Sequence, residues 1–180
     1  MRDYVYLTPS VLRQQLAGQW EEPLVAAFAA RPVRILRLVA SGSSYNAALC
    51  VRPYLRKWLD CEVLVTEPFT FCAYESCLPA DELAVVISQS GYSTNALHAL
   101  DTIRAKGRTA IGITSDPGSD FRTHADLLID YGCGQESVGY VTMGVTALCL
   151  FLCLFALRSA HLAGRLSENG LAAERQKLAQ

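Results

Sequence analysis

The stretch Leu83-Ala84-Val85-Val86-Ile87-Ser88-Gln89-Ser90-Gly91-Tyr92-Ser93-Thr94 changes character once, in its middle. Five apolar residues give way to hydroxyls and one glycine, and a helix-forming run, Asn95-Ala96-Leu97-His98-Ala99-Leu100, follows directly. That order reads as a buried strand, a tight polar bend and the opening of a helix. Such a bend gathers unpaired backbone N–H groups and the positive end of a helix dipole. It suits an anion, above all a phosphate.

The same order occurs earlier in the chain. Arg34–Ala40 is a strand, Ser41-Gly42-Ser43-Ser44 the bend after it, and a helix is expected from about Tyr45 to Leu59. Further strands are expected at 61–66, 108–114 and 127–131, with short helical turns at 69–76 and 120–123. A long apolar helix follows Gly132-Cys133-Gly134-Gln135 and ends near His161 or Gly164, and a surface helix begins after Ser167. At the N-terminus, Thr8-Pro9 reads as the cap and first-turn proline of a helix running to about Gln19, and Pro23 restarts a second one.

Strands alternating with helices, in apolar runs of this length, indicate an α/β fold with a parallel sheet covered on both faces. Five strands fit a three-layer, doubly wound, flavodoxin-like sheet of order 2-1-3-4-5. In that order strands one and three are neighbours where the chain reverses direction, and ligands bind there, outside the carboxyl ends of the strands. The two polar bends follow those two strands, so they are expected to share one crevice. The organisation expected is a helical arm over 1–32, a single domain over 33–164 and a helical tail over 165–180.

Composition narrows the function. At 180 residues the chain is one domain in size, and its net charge of −1 gives no basic excess for nucleic acid. Its seven cysteines are odd in number and match no metal or redox spacing, so reduced thiols in a cytoplasmic protein are expected. Residues 137–157 carry no charge and are long enough to span a bilayer. Glycines and threonines in their first third, with no clear aromatic belt, favour a core helix, and no membrane partner is expected.

A phosphate monoester can be held by hydroxyls and helix N–H groups without a lysine or arginine. Ser43, Ser44, Ser88, Ser90, Ser93 and Thr94 offer hydroxyls, and Gly42 and Gly91 let the backbone come close. Charge-assisted bonds contribute about 1.5–3 kcal/mol each, so three or four would hold a sugar phosphate at roughly micromolar to millimolar strength. The plainer alternative is that these serines only cap helices.

Ser41-Gly42-Ser43-Ser44-Tyr45-Asn46 and Ile87-Ser88-Gln89-Ser90-Gly91-Tyr92-Ser93 resemble the two motifs of the SIS (sugar isomerase) domain. The similarity is to the first isomerase half of glucosamine-6-phosphate synthase and to fructosamine-phosphate deglycases, and it extends over about Leu24 to Leu157. It implies a phosphosugar ligand held by Gly42, Ser43, Ser44, Ser88, Gln89, Ser90 and Ser93, with no metal or cofactor. Gln135–Gly144 resembles a further family segment, in which Glu136 and Thr142 match and Met143 replaces a lysine. Tyr92 stands where the family has glutamate.

The resemblance also implies an isomerase or deglycase acting on a ketose, aldose or amine-linked sugar phosphate. The family's proton-transfer groups lie mainly in a second SIS domain, so a homodimer or pairing with another SIS domain would complete the site. The alternative is a non-catalytic phosphosugar-binding module, or the N-terminal half of a double-SIS protein. Within this chain Glu136 is the candidate catalytic base, set against a carboxylate that merely stabilises a helix start. His98, His124 and His161 fall away from the carboxyl-end bends and read as structural. The exposed face of helix 137–157 is the expected dimer surface.

Overall fold

The computed structural model describes residues 1–138 and 141–180; statements of absence below concern these residues. Gly139 and Tyr140, part of the segment resembling the family, lie outside them. Five parallel strands, β1 (Ile35–Ala40), β2 (Glu62–Thr66), β3 (Glu82–Ile87), β4 (Ile111–Thr114) and β5 (Leu127–Asp130), form one sheet of order 2-1-3-4-5. In β1, Leu36, Leu38 and Ala40 face one core cluster and Val39 the other. In β3 the split is Leu83, Val85 and Ile87 against Ala84 and Val86. This two-residue alternation, apolar on both sides, is what a sheet buried on both faces requires.

The first face is covered by α1 (Arg2–Ala17), α2 (Glu22–Ala29), α3 (Gly42–Leu59) and α7 (Met143–Leu162), the second by α5 (Thr94–Ala105) and Phe71. Short α4 (Pro68–Thr70) runs into a π-helical turn, Phe71–Glu75, while α6 (Phe121–His124) and α8 (Glu168–Leu178) complete the chain. The π-helical turn is tied down by Arg37 of β1, whose guanidinium bonds Glu75, Glu82 and Thr66 beneath the sheet.

Three expectations need correction. Helix α1 starts at Arg2, with Pro9 inside it rather than at its first turn. The carbonyl of exposed Val5, which Pro9 cannot serve, lies on a solvent-facing stretch, and the Thr8 hydroxyl donates to Tyr4 O at 2.8 Å. Helix α3 starts at Gly42, so the first polar bend is itself the opening turn of the helix.

Helix α7 starts at Met143 and offers no free face for a partner. Phe28 of α2 packs edge-on against Phe155 at 5.5 Å, and the Gln15 amide of α1 donates to Ala147 O at 3.2 Å. Apolar length and composition would let α7 cross a membrane, but its Leu and Phe side chains, the terminal Leu162 apart, are buried by the chain itself. Burial of each such side chain contributes about 1.5–3 kcal/mol, so the apolar run is accounted for by packing. All seven cysteines are free.

Candidate functional site

At the carboxyl ends of β1 and β3 lies a cavity of about 650 Å³, a size typical of small-molecule sites. Ser41, Gly42, Ser43, Ser44 and Asn46 line one side, and Ile87, Ser88, Gln89, Ser90 and Ser93 the other. Glu136, Val138 and Val141, from the loop before α7, close it. Gly42, Ser43, Ser44, Ser88, Gln89, Ser90, Ser93 and Glu136, singled out from the sequence, line this one cavity; Gly91 and Thr94, also named there, do not. Ser41, Asn46, Ile87 and the two valines are additions.

The second bend is held from below. Ser88 N–H donates to Ile113 O at 3.0 Å and Gly91 N–H to Ser88 Oγ at 3.2 Å. Gln89 O accepts from Ser115 Oγ at 2.8 Å and Thr114 Oγ1 at 3.1 Å, which ties the bend to the end of β4. Gly91 adopts φ +70°, and a Cβ there would fall 1.9 Å from Ser119 Oγ; only glycine fits both the left-handed backbone and the contact.

Helix starts at the cavity are left uncapped. Ser41 precedes α3 and Ser93 precedes α5, both in the extended cap conformation, yet neither side chain accepts a hydrogen bond from its helix. The first N–H groups of both helices therefore have no side-chain partner, and they open towards a cavity lined with hydroxyls.

Among the described residues, Glu136 is the one ionisable carboxylate lining this cavity. It is buried, and its Oε1 accepts from Thr142 N–H (2.9 Å) and Thr142 Oγ1 (3.0 Å), its Oε2 from Gly144 N–H (2.9 Å). Burial alone would raise its pKa. The N–H donors of Gly144, Thr142 and Met143, with the Thr142 hydroxyl, outweigh that and leave it lowered from 4.5. Glu136 thus caps α7 and stands as a carboxylate at neutral pH. Met143 packs into the core and does not line the cavity.

A side cavity of about 240 Å³ adjoins the first and shares Gln89, Ser90 and Glu136 with it. Tyr92, Ser115, Asp116, Gln135 and Ser137 complete it. Tyr92 is half exposed, and the negative charge of Asp116, with smaller contributions from desolvation and a hydrogen bond to that carboxylate, raises its phenol above 10.0. Ser115 and Asp116 are not among the residues picked out from the sequence. Their position directly after β4, at the carboxyl edge of the sheet, is the signal that would have found them.

None of the three histidines reaches either cavity. His124 bonds Asp101 at 2.8 Å, His161 sits between Leu166 O and Glu168, and His98 lies on α5.

A doubly wound parallel sheet with two hydroxyl-bearing bends meeting at its switch point defines a class of anion-binding α/β domain. Comparison with known proteins narrows the class: residues 32–158 match the SIS domain, and the chain belongs to that family. It is 29% identical over 124 residues to glutamine–fructose-6-phosphate aminotransferase [isomerizing] 1 of Rattus norvegicus, covering 69% of this chain and 18% of that protein. The Bacillus subtilis aminotransferase of the same type is 30% identical over 132 residues, 73% of this chain and 22% of the relative. The chain thus spans about a fifth of the length of the curated relatives it matches.

Among solved structures, the C-terminal domain of glucosamine-fructose-6-phosphate aminotransferase from Francisella tularensis superposes with a TM-score of 0.81 at 20% identity, over 97% of this chain and 51% of that one. A sugar-phosphate isomerase-like protein from Listeria monocytogenes superposes with a TM-score of 0.70 at 15% identity, over 95% of this chain and 94% of that one. These likenesses share the fold. One neighbour is about twice the length of this chain and the other nearly matches it.

Proposed function

We propose that the chain is a cytoplasmic, phosphosugar-binding SIS protein, with the phosphate seated between the uncapped starts of α3 and α5. The observation that carries this reading is that both helix starts lack side-chain caps where their serines line one cavity. Ser43, Ser44, Ser88, Ser90 and Ser93 donate hydroxyls, Gln89 bonds the sugar, and Gly42 and Gly91 give the backbone access. The binding domain spans 33–164, with 1–32 and 165–180 packed around it.

The chemistry proposed is that of a sugar-phosphate isomerase or deglycase, in which a proton moves between adjacent carbons and no cofactor is needed. Glu136 is the base available within the chain. Its four donors keep it anionic but make it weak, since a base works best with a pKa near the operating pH. A second SIS domain, or a second copy in a homodimer, would supply a stronger one. The low basicity of Glu136 favours one alternative, a module that binds phosphosugar without turning it over.

Calorimetric titration with fructose-6-phosphate, followed by proton exchange at C1 and C2 in deuterated water, separates these. Binding with exchange supports catalysis, and binding without exchange supports the module. No binding at millimolar ligand overturns the reading.

A further inference from the structure

Helix α1 lies before the residues that match the family, yet two of its side chains hold the loop that closes the phosphate cavity. That loop joins β5 to α7 and brings Glu136 to both cavities and Ser137 to the side cavity. Gln135 and Ser137 flank the buried Glu136 and are themselves exposed. A loop of this kind is fixed less by apolar burial than the elements it connects. The polar contacts that pin it therefore decide where Glu136 stands.

One pin is buried. Gln15 is 1% exposed, and its side-chain N–H groups donate to Tyr131 O, where the loop leaves β5, and to Ala147 O near the start of α7, at 3.2 Å. Two carbonyls facing one nitrogen call for an –NH2 group, which glutamine supplies. A single carboxamide thus ties both roots of the loop to α1.

The other pin is at the surface. Tyr4 stands about three turns before Gln15 and so on the same face of α1. Its ring packs against the first core cluster, and its hydroxyl accepts from Ser137 N–H at 3.0 Å and shares a second bond with Ser137 Oγ at 2.9 Å. The next residue back is Glu136, whose carboxylate accepts from Thr142 and Gly144 N–H. The backbone of Ser137 is held from outside and the side chain of Glu136 from within.

We propose that α1 is a splint for the site loop, and that Tyr4 is a positioning residue which, by holding Ser137, keeps Glu136 and the cavity wall in place before the ligand arrives. A wall already fixed does not have to be ordered on binding, and that raises affinity. The proposal rests on the phosphosugar reading of the cavity.

The test uses Tyr4→Phe in the full chain, with Tyr6→Phe as its control. Tyr6 is 69% exposed on the same helix, and its hydroxyl accepts from Arg2 and does not touch the loop. In Tyr4→Phe the calorimetric affinity for fructose-6-phosphate is expected to fall at least about threefold, the worth of one or two exposed bonds. The amides of Thr142 and Gly144 are expected to exchange with deuterium at least about threefold faster, with Gly170 unchanged. The thermal midpoint should stay within about 2 °C, because the ring remains in the core. Tyr6→Phe should change none of these. A smaller loss of affinity, an equal loss in Tyr6→Phe, or a loss with Thr142 and Gly144 exchange unaltered would overturn the role of Tyr4 and leave the phosphate cavity standing. A fall in midpoint with affinity intact would mark Tyr4 as a packing residue and overturn the role as well. Failure of the unmodified chain to bind would overturn both readings.

Discussion

Three helices among the described residues begin after a serine, and they are treated differently. At α8 the Ser167 side chain accepts from Gly170 N–H at 3.2 Å, an ordinary cap far from the cavity. At α3 and α5 the serines Ser41 and Ser93 occupy the same position in extended backbone but make no such bond. A cap contributes about 1 kcal/mol, so leaving two uncapped sacrifices stability where the cavity lies. Because α2 and α6 also start without a side-chain cap and away from the cavity, what sets α3 and α5 apart is that Ser41 and Ser93 line it.

The largest effect should come from removing hydroxyls at the cavity. Ser88→Ala combined with Ser90→Ala is expected to weaken fructose-6-phosphate binding at least about 100-fold. Thermal unfolding of that double variant should shift by a few degrees at most, because neither hydroxyl supports the core. A loss of fold with no separate loss of binding would collapse the contrast with α8.

Next is the carboxylate cap. Glu136→Ala strands the donors of Thr142 and Gly144 and is expected to cost about 2 kcal/mol in denaturant unfolding. The folded pKa of Glu136 lies below 4.5, so its contribution is present above that value and is lost as the pH falls through the folded pKa. The variant should therefore show a flatter acid limb of stability below about pH 4.5. Ser167→Ala should cost about 1 kcal/mol and leave ligand affinity unchanged, as a cap with no other duty would. The smallest effect is expected at Tyr131→Phe, whose buried hydroxyl lies near Ser115 without a close hydrogen bond: the stability of the apo chain should change by less than about 1 kcal/mol.

Glu21 offers a second contrast with Glu136. Both are buried carboxylates at helix starts, yet the Oε2 of Glu21 has no partner, and burial, as the leading cause, raises its pKa. The cation facing it, Arg175, stands 3.6 Å away. Converging N–H donors separate the two cases: they exist at the start of α7, where loop and helix meet the cavity, and are missing beneath α8.

The strand order and the meeting of the two bends were legible in the sequence because each is local. An apolar run, a glycine among hydroxyls and a helix former sit within a short stretch, and the doubly wound order then brings the two bends together. The start of α1 was not legible. Thr8-Pro9 carries a strong cap signal, and only the exposure of Val5 and the Thr8–Tyr4 bond show how the helix tolerates Pro9. Nor was the enclosure of α7, since the α1, α2 and α8 contacts come from the two chain ends. Asp116 was missed although its place directly after β4, at the carboxyl edge of the sheet, was legible.

Amide chemical-shift mapping on ¹⁵N-labelled protein titrated with fructose-6-phosphate tests the shared cavity most directly. The expected result is that Ser43 and Ser44 at the start of α3 shift together with Ser90 and Ser93 before α5, along one binding curve, while Gly170 stays fixed. Shifts confined to one bend, or centred elsewhere on the molecule, would contradict it.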